Sequence, residues 1–234
     1  MNAIDVTGVT KRYGGFPALD GLTLSLPAGQ IVGLLGENGC GKTTLLKVLA
    51  GALTRYEGEV RIHGHEPGPA TKAMVSFLPD ASFLADGATI EGCIRQFRDF
   101  FSDFNEPKCR ELVEFFGLKT EAKLSTLSKG MREKVQIALA MSRDAKVFLL
   151  DEPISGVDPA AREVILEAIV RDLSPDALVI ISTHLIHDLE PILDGVAFMR
   201  FGKVLLAGSV DDLRAEHGSS IDELFREVYR WSPR

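Results

Sequence analysis

Apolar residues along this chain fall into two kinds of run, and the difference sorts the molecule into parts. Short stretches punctuated by glycine and proline, Ile4 to Val9, Leu22 to Leu26 and Gly58 to Ile62, predict short strands in a β-rich N-terminal third. Ile31 to Leu35, Val147 to Leu150 and Leu178 to Ile181 are continuously apolar and alternate with helical stretches. That is the pattern of parallel strands buried on both faces. Met74 to Leu78 predicts a further strand stopped by Pro79 and Asp80. Val196 to Met199 and Val204 to Ala207 predict a hairpin turned at Phe201-Gly202.

The helical stretches carry recognisable ends. Leu45 to Ala50 is closed by Gly51, as a glycine-capped helix is. Ser128 is a natural N-cap for a helix with Met131, Val135, Ala138, Leu139 and Ser142 at helical spacing. Asp158 caps a helix begun by Pro159, with the apolar stripe Ile165, Ile169 and Leu173 beside Ala161 and Ala168. A helix from Ile186 should end or kink at Pro191, and Ser220 with Glu223 forms a capping box opening a last helix through Tyr229. From Ala81 to Ser142 the chain turns helical and holds Phe83, Phe97, Phe100, Phe101, Phe104, Phe115 and Phe116. This shift predicts an inserted helical subdomain, most of its rings in the core and a few lining a docking surface. The expected layout is a core with its β-subdomain over 1–80 and 143–210, a helical subdomain over 81–142, and short C-terminal helices over 211–234.

Composition narrows the classes. At 234 residues, 45% hydrophobic and 25% charged, the chain has the make-up of an ordinary globular protein with a substantial core. A net charge of -7 argues against nucleic-acid binding through a generally basic surface. No apolar run approaches the roughly 18–20 residues of a membrane span, and Met1 to Asp5 is too short and polar for a secretory signal. Cys40, Cys93 and Cys109 show no metal-ligand spacing and suggest a reducing compartment.

The chemistry begins at Gly36-Glu37-Asn38-Gly39-Cys40-Gly41-Lys42-Thr43-Thr44, which matches G-x-x-x-x-G-K-[ST] between a strand and a helix. Backbone amides and the positive helix end are expected to converge there on a phosphate; Lys42 would neutralise the β- and γ-phosphates and the Thr43 hydroxyl would hold Mg²⁺. Cys40 is either a small filler in this loop or a thiol whose oxidation blocks nucleotide. A second signal is the strand end Asp151-Glu152, two carboxylates suited to orienting a metal and contacting an attacking water. The strand at Leu178 ends in Ser182-Thr183-His184, where His184 is either a γ-phosphate contact or a boundary residue. Tyr13, beside Gly14-Gly15, either meets a base or packs.

Together these residues resemble the nucleotide-binding subunit of ATP-binding cassette (ABC) transporters over essentially the whole chain. Gly36 to Thr44 looks like Walker A, Val147 to Glu152 like Walker B with its catalytic glutamate, and Leu127-Ser128-Lys129-Gly130-Met131 stands where the signature LSGGQ belongs. Ser155 to Asp158 resembles the D-loop, His184 the switch histidine, and Tyr13 the aromatic that stacks on adenine. The resemblance implies an α/β P-loop NTPase fold: a mixed β-sheet core, an N-terminal antiparallel β-subdomain and an inserted helical subdomain. It implies ATP and Mg²⁺ as cofactors, with Gly36, Asn38, Gly39, Gly41, Lys42, Thr43 and Thr44 on the nucleotide. Glu152 and His184 are catalytic, and Thr43, Asp80 and Asp151 are at the metal. Ser128 and Gly130 complete the ATP site of a second cassette packed head to tail. The partners implied are that second subunit and integral membrane subunits, with the chain peripheral on the cytoplasmic face of the cell membrane.

Two departures stand out. Asp80 occupies the position of the family's Q-loop glutamine, and its negative, acceptor-only side chain predicts tighter dependence on Mg²⁺. LSKGM replaces LSGGQ, and Lys129 either adds charge near a partner's ATP or points to solvent. The combination is similar to a bacterial subgroup that exports peptides, antimicrobials or other amphipathic compounds. The competing classes are a soluble ABC ATPase acting on ribosomes or DNA, and a nucleotide-dependent regulator. The single cassette, the negative charge and the lack of a heptad run weigh against the first, and Glu152 against the second.

Overall fold

The computed structural model describes residues 2–231, without the side chain of Trp231; Met1 and the last three residues of the expected C-terminal segment lie outside it. The chain opens with a long hairpin, β1 (Asn2–Tyr13) and β2 (Phe16–Pro27), turned at Gly14-Gly15. Both strands outrun the short ones expected. Gly8, inside the first predicted strand, and Gly21, just before the second, adopt positive φ at register shifts, where an irregular residue is absorbed and pairing resumes. After β3 (Ile31–Leu35) come α1 (Lys42–Leu49) and β4 (Glu57–Ile62), which pairs with β1 to complete a three-stranded antiparallel sheet ordered β2-β1-β4.

A short α2 (Pro69–Lys72) leads to β5 (Val75–Leu78). The helical segment follows with α3 (Ile90–Phe100), α4 (Glu106–Phe115) and α5 (Lys129–Met141). The remainder runs β6 (Val147–Asp151), α6 (Pro159–Val170), β7 (Leu178–Thr183), α7 (Ile186–Leu189), β8 (Gly195–Arg200), β9 (Lys203–Ser209), α8 (Val210–His217) and α9 (Ile221–Trp231). The six-stranded sheet is ordered β5-β6-β7-β3-β8-β9, parallel except for the hairpin strand β9.

Alternation of side chains along the central strands divides the interior into two cores. Val32, Leu34, Val147, Leu149, Leu178 and Ile180 face the antiparallel sheet and α1. Leu35, Phe148, Leu150, Val179 and Ile181 face α5, α6 and the C-terminal helices. Helix α1 buries Leu45, Leu46, Val48 and Leu49 between the sheets, each fully buried leucine contributing about 1.5–3 kcal/mol. The phosphate loop in front of α1 is therefore anchored by the helix behind it.

The predicted caps form: Ser128 Oγ accepts from the Met131 amide at 3.3 Å, and Asp158 Oδ1 from Ala161 at 3.0 Å. Ser220 and Glu223 cap α9 reciprocally, at 3.0 and 3.2 Å. Pro191 limits α7 to one turn, followed by a 3₁₀ turn over Glu190–Ile192. Leu173 falls beyond the end of α6.

The phenylalanines of the helical segment differ from expectation. Only Phe116 among them is buried; Phe97, Phe104 and Phe115 pack partly against the core, while Phe83 and Phe100 are exposed at 42% and 80%. The local helix pattern identifies apolar residues but not the size of the face available to cover them. Arg143 ties this segment to the sheet: its guanidinium binds Asp103 at 2.9 Å and the Val75 carbonyl at 2.8 Å, and lies over the Phe101 ring.

Candidate active site

Three strand ends build the site. The register places Leu35 of β3 opposite Thr183 of β7, and Asp151 of β6 opposite Ser182, so the loops leaving these strands share one edge of the sheet. From β3 the chain enters the glycine loop. Gly41 has φ 113°, and a side-chain carbon there would lie 2.4 Å from the Ala18 carbonyl oxygen, so only glycine fits. No side chain caps α1, leaving its first amides directed at the loop. Asn38, Gly39, Gly41, Lys42, Thr43 and Thr44 line a cavity of about 200 Å³ together with Ala18, Asp80 and Glu152.

Lys42 is almost fully buried. Its ammonium donates to the Gly36 carbonyl at 2.8 Å and the Glu37 carbonyl at 3.3 Å, and lies 3.5 Å from Glu152 Oε1. Asp151 Oδ1 accepts from Ser182 Oγ at 2.6 Å and from Thr43 Oγ1 at 3.2 Å, while its Oδ2 is buried without a protein partner. A buried carboxylate oxygen left unpaired beside a threonine hydroxyl suits a hard divalent cation, so these residues fit Mg²⁺.

Successive strand residues point to opposite faces, yet both acids serve this edge. Glu152 resolves the conflict by leaving the strand in the left-handed region, φ 51°, a conformation that costs a non-glycine residue about 1–2 kcal/mol. Its amide holds the turn by donating to the Ser182 carbonyl and hydroxyl, at 3.0 and 3.1 Å. Its carboxylate spans Lys42 on one side and His184 Nδ1, at 3.0 Å, on the other. His184 thus meets Glu152 directly.

Ser182 is the functional residue whose role the sequence did not reveal. It is fully buried and supports both acids at once, and its only signal was a hydroxyl at an apolar strand's end.

The other expected residues lie farther out. Tyr13 is half exposed at the hairpin tip, with the Lys11 ammonium 5.2 Å from its ring centre, and does not line the phosphate cavity. Ser128 and Gly130 sit at the start of α5 and do not line it either. Lys129 folds back over the loop after β6: a side-chain carbon on Gly156 would stand 2.4 Å from its Nζ. Lys129 remains exposed to solvent while its ammonium lies beside Gly156. Asp80 lines both the phosphate cavity and a second cavity of about 290 Å³ bordered by Lys129, Arg132, Glu133 and Gln136. Burial pushes the Glu133 carboxyl up to about 7; Lys129 opposes this and Asp80 adds to it. Cys40 is buried, and burial pushes its thiol up against the lowering pull of Lys42, which favours the filler role over a reactive one.

Comparison with known proteins agrees with this geometry. The family model described as ABC transporter matches residues 19–155. The Nod factor export ATP-binding protein I of Rhizobium meliloti (strain 1021) is 32% identical over 215 residues, covering 88% of this chain and 64% of that protein, so the chain spans just under two thirds of its length. The daunorubicin resistance ATP-binding protein DrrA3 of Streptomyces coeruleorubidus is 31% identical, covering 97% of this chain and 74% of that one. A solved ATP-binding subunit of an ABC transporter superposes with TM-score 0.86 at 27% identity, over 97% of this chain and 99% of its own. With the phosphate loop, the paired strand-end acids and the histidine gathered on one sheet edge, the chain belongs to the ABC transporter family, in its ATP-binding branch.

Proposed function

We propose that this chain binds and hydrolyses ATP as the motor subunit of an exporter, working in a head-to-tail pair on separate membrane subunits. The observation that carries the proposal is the convergence on Glu152: its carboxylate lies 3.5 Å from Lys42 and 3.0 Å from His184, at the mouth of the phosphate cavity.

The roles follow from position. The loop amides and Lys42 bind the phosphates, and a triphosphate seated there competes with Glu152 for the Lys42 ammonium. Released from that ion pair, Glu152 is free to take a proton from water, with His184 holding its other oxygen. Thr43 and Asp151 would hold Mg²⁺, which would neutralise charge on the phosphate oxygens. Asp80 borders the phosphate cavity from the Q-loop side. Tyr13 at the hairpin tip is proposed to stack on the base, and Ser128 with Gly130 to face the nucleotide of the second subunit from the start of α5.

Placement at the membrane rests on partners. No described helix is long and apolar enough to cross a bilayer. The exposed Phe83 and Phe100, in ring contact with Phe97 and Phe101 at 5.9 and 5.7 Å, offer an apolar surface on the helical segment for membrane subunits. The relatives' roles in Nod factor export and daunorubicin resistance support export of an organic cargo, and the proposal places the chain on the cytoplasmic face of the cell membrane with an amphipathic compound as cargo.

Glu152→Gln tests the reading. Loss of a general base predicts turnover lower by about 10²–10⁴-fold, with nucleotide binding kept and an ATP-bound dimer accumulating on size exclusion. Turnover equal to the parent's sinks the assignment of Glu152, and solubilised membranes yielding no co-purifying integral protein sink the transporter role.

A further inference from the structure

The C-terminal helix reaches the base of the phosphate loop through one side chain. Tyr229 of α9 donates its hydroxyl to the Met199 carbonyl at the end of β8. Its oxygen lies 3.1 Å from where a side-chain carbon on Gly36 would stand, and the same absent carbon would meet Cys40 Sγ and the Met199 oxygen, each at 2.5 Å. Gly36 is therefore bare because Tyr229, Cys40 and Met199 close on it from behind. The Glu37 backbone amide also faces the phenol. Burial pushes the phenol up, so it stays protonated and remains a donor throughout the neutral range.

This peptide matters because its front holds the lysine. The Gly36 and Glu37 carbonyls accept from Lys42 Nζ at 2.8 and 3.3 Å. The Gly36–Glu37 segment is thus held by Lys42 on the phosphate side and packed against the Tyr229 hydroxyl on the other. The Gly202 amide, in the turn after β8, pins the loop again by donating to the Cys40 carbonyl at 2.9 Å.

Tyr229 is itself well held. Its ring centre lies 4.1 Å from Phe225, which stands edge-on to the buried Phe198 at 5.4 Å, and its carbonyl accepts from Arg200 at 3.1 Å. The helix start is fixed by Glu190, which accepts from the Ile221 amide at 2.9 Å and from Arg214 at 2.7 Å.

We infer that Tyr229 is a positioning residue for nucleotide binding: its hydroxyl sets the Gly36–Glu37 peptide, and through it Lys42, in the geometry that receives phosphate. The inference rests on the phosphate loop being the nucleotide seat. It predicts an effect on ATP and ADP alike, because the peptide it sets serves both.

The experiment compares the full chain with Tyr229→Phe and Ile221→Val, measuring MgADP affinity by titration calorimetry and the unfolding midpoint by circular dichroism. Binding by the parent protein establishes the seat, and its absence overturns that reading and the inference with it. Tyr229→Phe keeps the ring stack and removes only the hydroxyl, so MgADP binding should weaken about 3- to 10-fold, the loss expected from one hydrogen bond. Ile221→Val trims a fully buried side chain at the start of the same helix, away from the Tyr229 ring, and should lower the midpoint while leaving affinity within twofold. An unchanged affinity in Tyr229→Phe, or an equal loss in both variants, would show that the helix merely stabilises the fold and overturns the inference.

Discussion

Ser182→Ala isolates the link between the two strand-end acids. Ser182 is fully buried, and its hydroxyl donates to Asp151 Oδ1 at 2.6 Å while accepting from the Glu152 amide at 3.1 Å. The two bonds are unequal in consequence. The Glu152 amide keeps the Ser182 carbonyl at 3.0 Å whatever the side chain, so the turn at Glu152 survives. Asp151 Oδ1 keeps only Thr43 at 3.2 Å, and Oδ2 has no protein partner to begin with. The loss is one hydrogen bond to a charged group, about 1.5–3 kcal/mol. At about 2–4 °C per kcal/mol for a chain of this size, the unfolding midpoint should fall by about 3–12 °C. The Mg²⁺ concentration giving half-maximal nucleotide binding should rise as well, because an Asp151 carboxylate no longer fixed must be ordered by the cation. Thermal unfolding of Ser182→Ala, Asp151→Asn and the double variant forms the assay. If the bond is as described, the two changes couple by more than about 1 kcal/mol; additivity within about 0.5 kcal/mol would refute it.

Two further predictions concern how the parts are held. Arg143→Met removes the buried cation that joins Asp103 to the carbonyl of Val75; with Asp103 still partly solvated, the loss should be about 1.5–3 kcal/mol, read by urea unfolding, and a loss under about 0.5 kcal/mol would show that apolar packing alone holds the joint. At Glu190, burial raises the carboxyl but bonds from the Ile221 amide, Arg214 and the Asp222 amide outweigh it, holding the group below its ordinary 4.5. A folded-state value below the unfolded one gives stability that is whole above about pH 5 and fades as pH falls through the folded value. The midpoint of Glu190→Gln should therefore lie below the parent's at pH 7 and approach it in acid; a gap independent of pH would refute this.

What the sequence disclosed and what it withheld divide along a physical line. The phosphate loop is legible because its chemistry is carried by consecutive residues: backbone amides, one lysine and one threonine in fixed spacing between a strand and a helix. The caps at Ser128, Asp158 and Ser220 are legible for the same reason, each reaching three residues along the chain. Ser182 and Tyr229 are not, because their partners come from other strands. Ser182 owes its role to register with Asp151 across β6 and β7, and Tyr229 to packing on Met199 across 30 residues. The exposed phenylalanines fail in another way, since composition counts apolar rings without the area that covers them.

The placement of Ser128 and Gly130 is compatible with the proposed pair of subunits. Ser128 spends its side-chain oxygen on the Met131 amide, yet a helix start offers more free amides than one cap satisfies. Neither Ser128 nor Gly130 lines the phosphate cavity of their own chain. Lys129 is drawn back over Gly156 and Gly130 packs near Val157, so α5 begins on the loop that follows Glu152 rather than on the phosphates. Within one chain the two elements are tied together through that loop but kept off one another's ligand. In the proposed head-to-tail pair each helix start would face the other chain's nucleotide, and the arrival of that nucleotide would be coupled to the turn that aims Glu152.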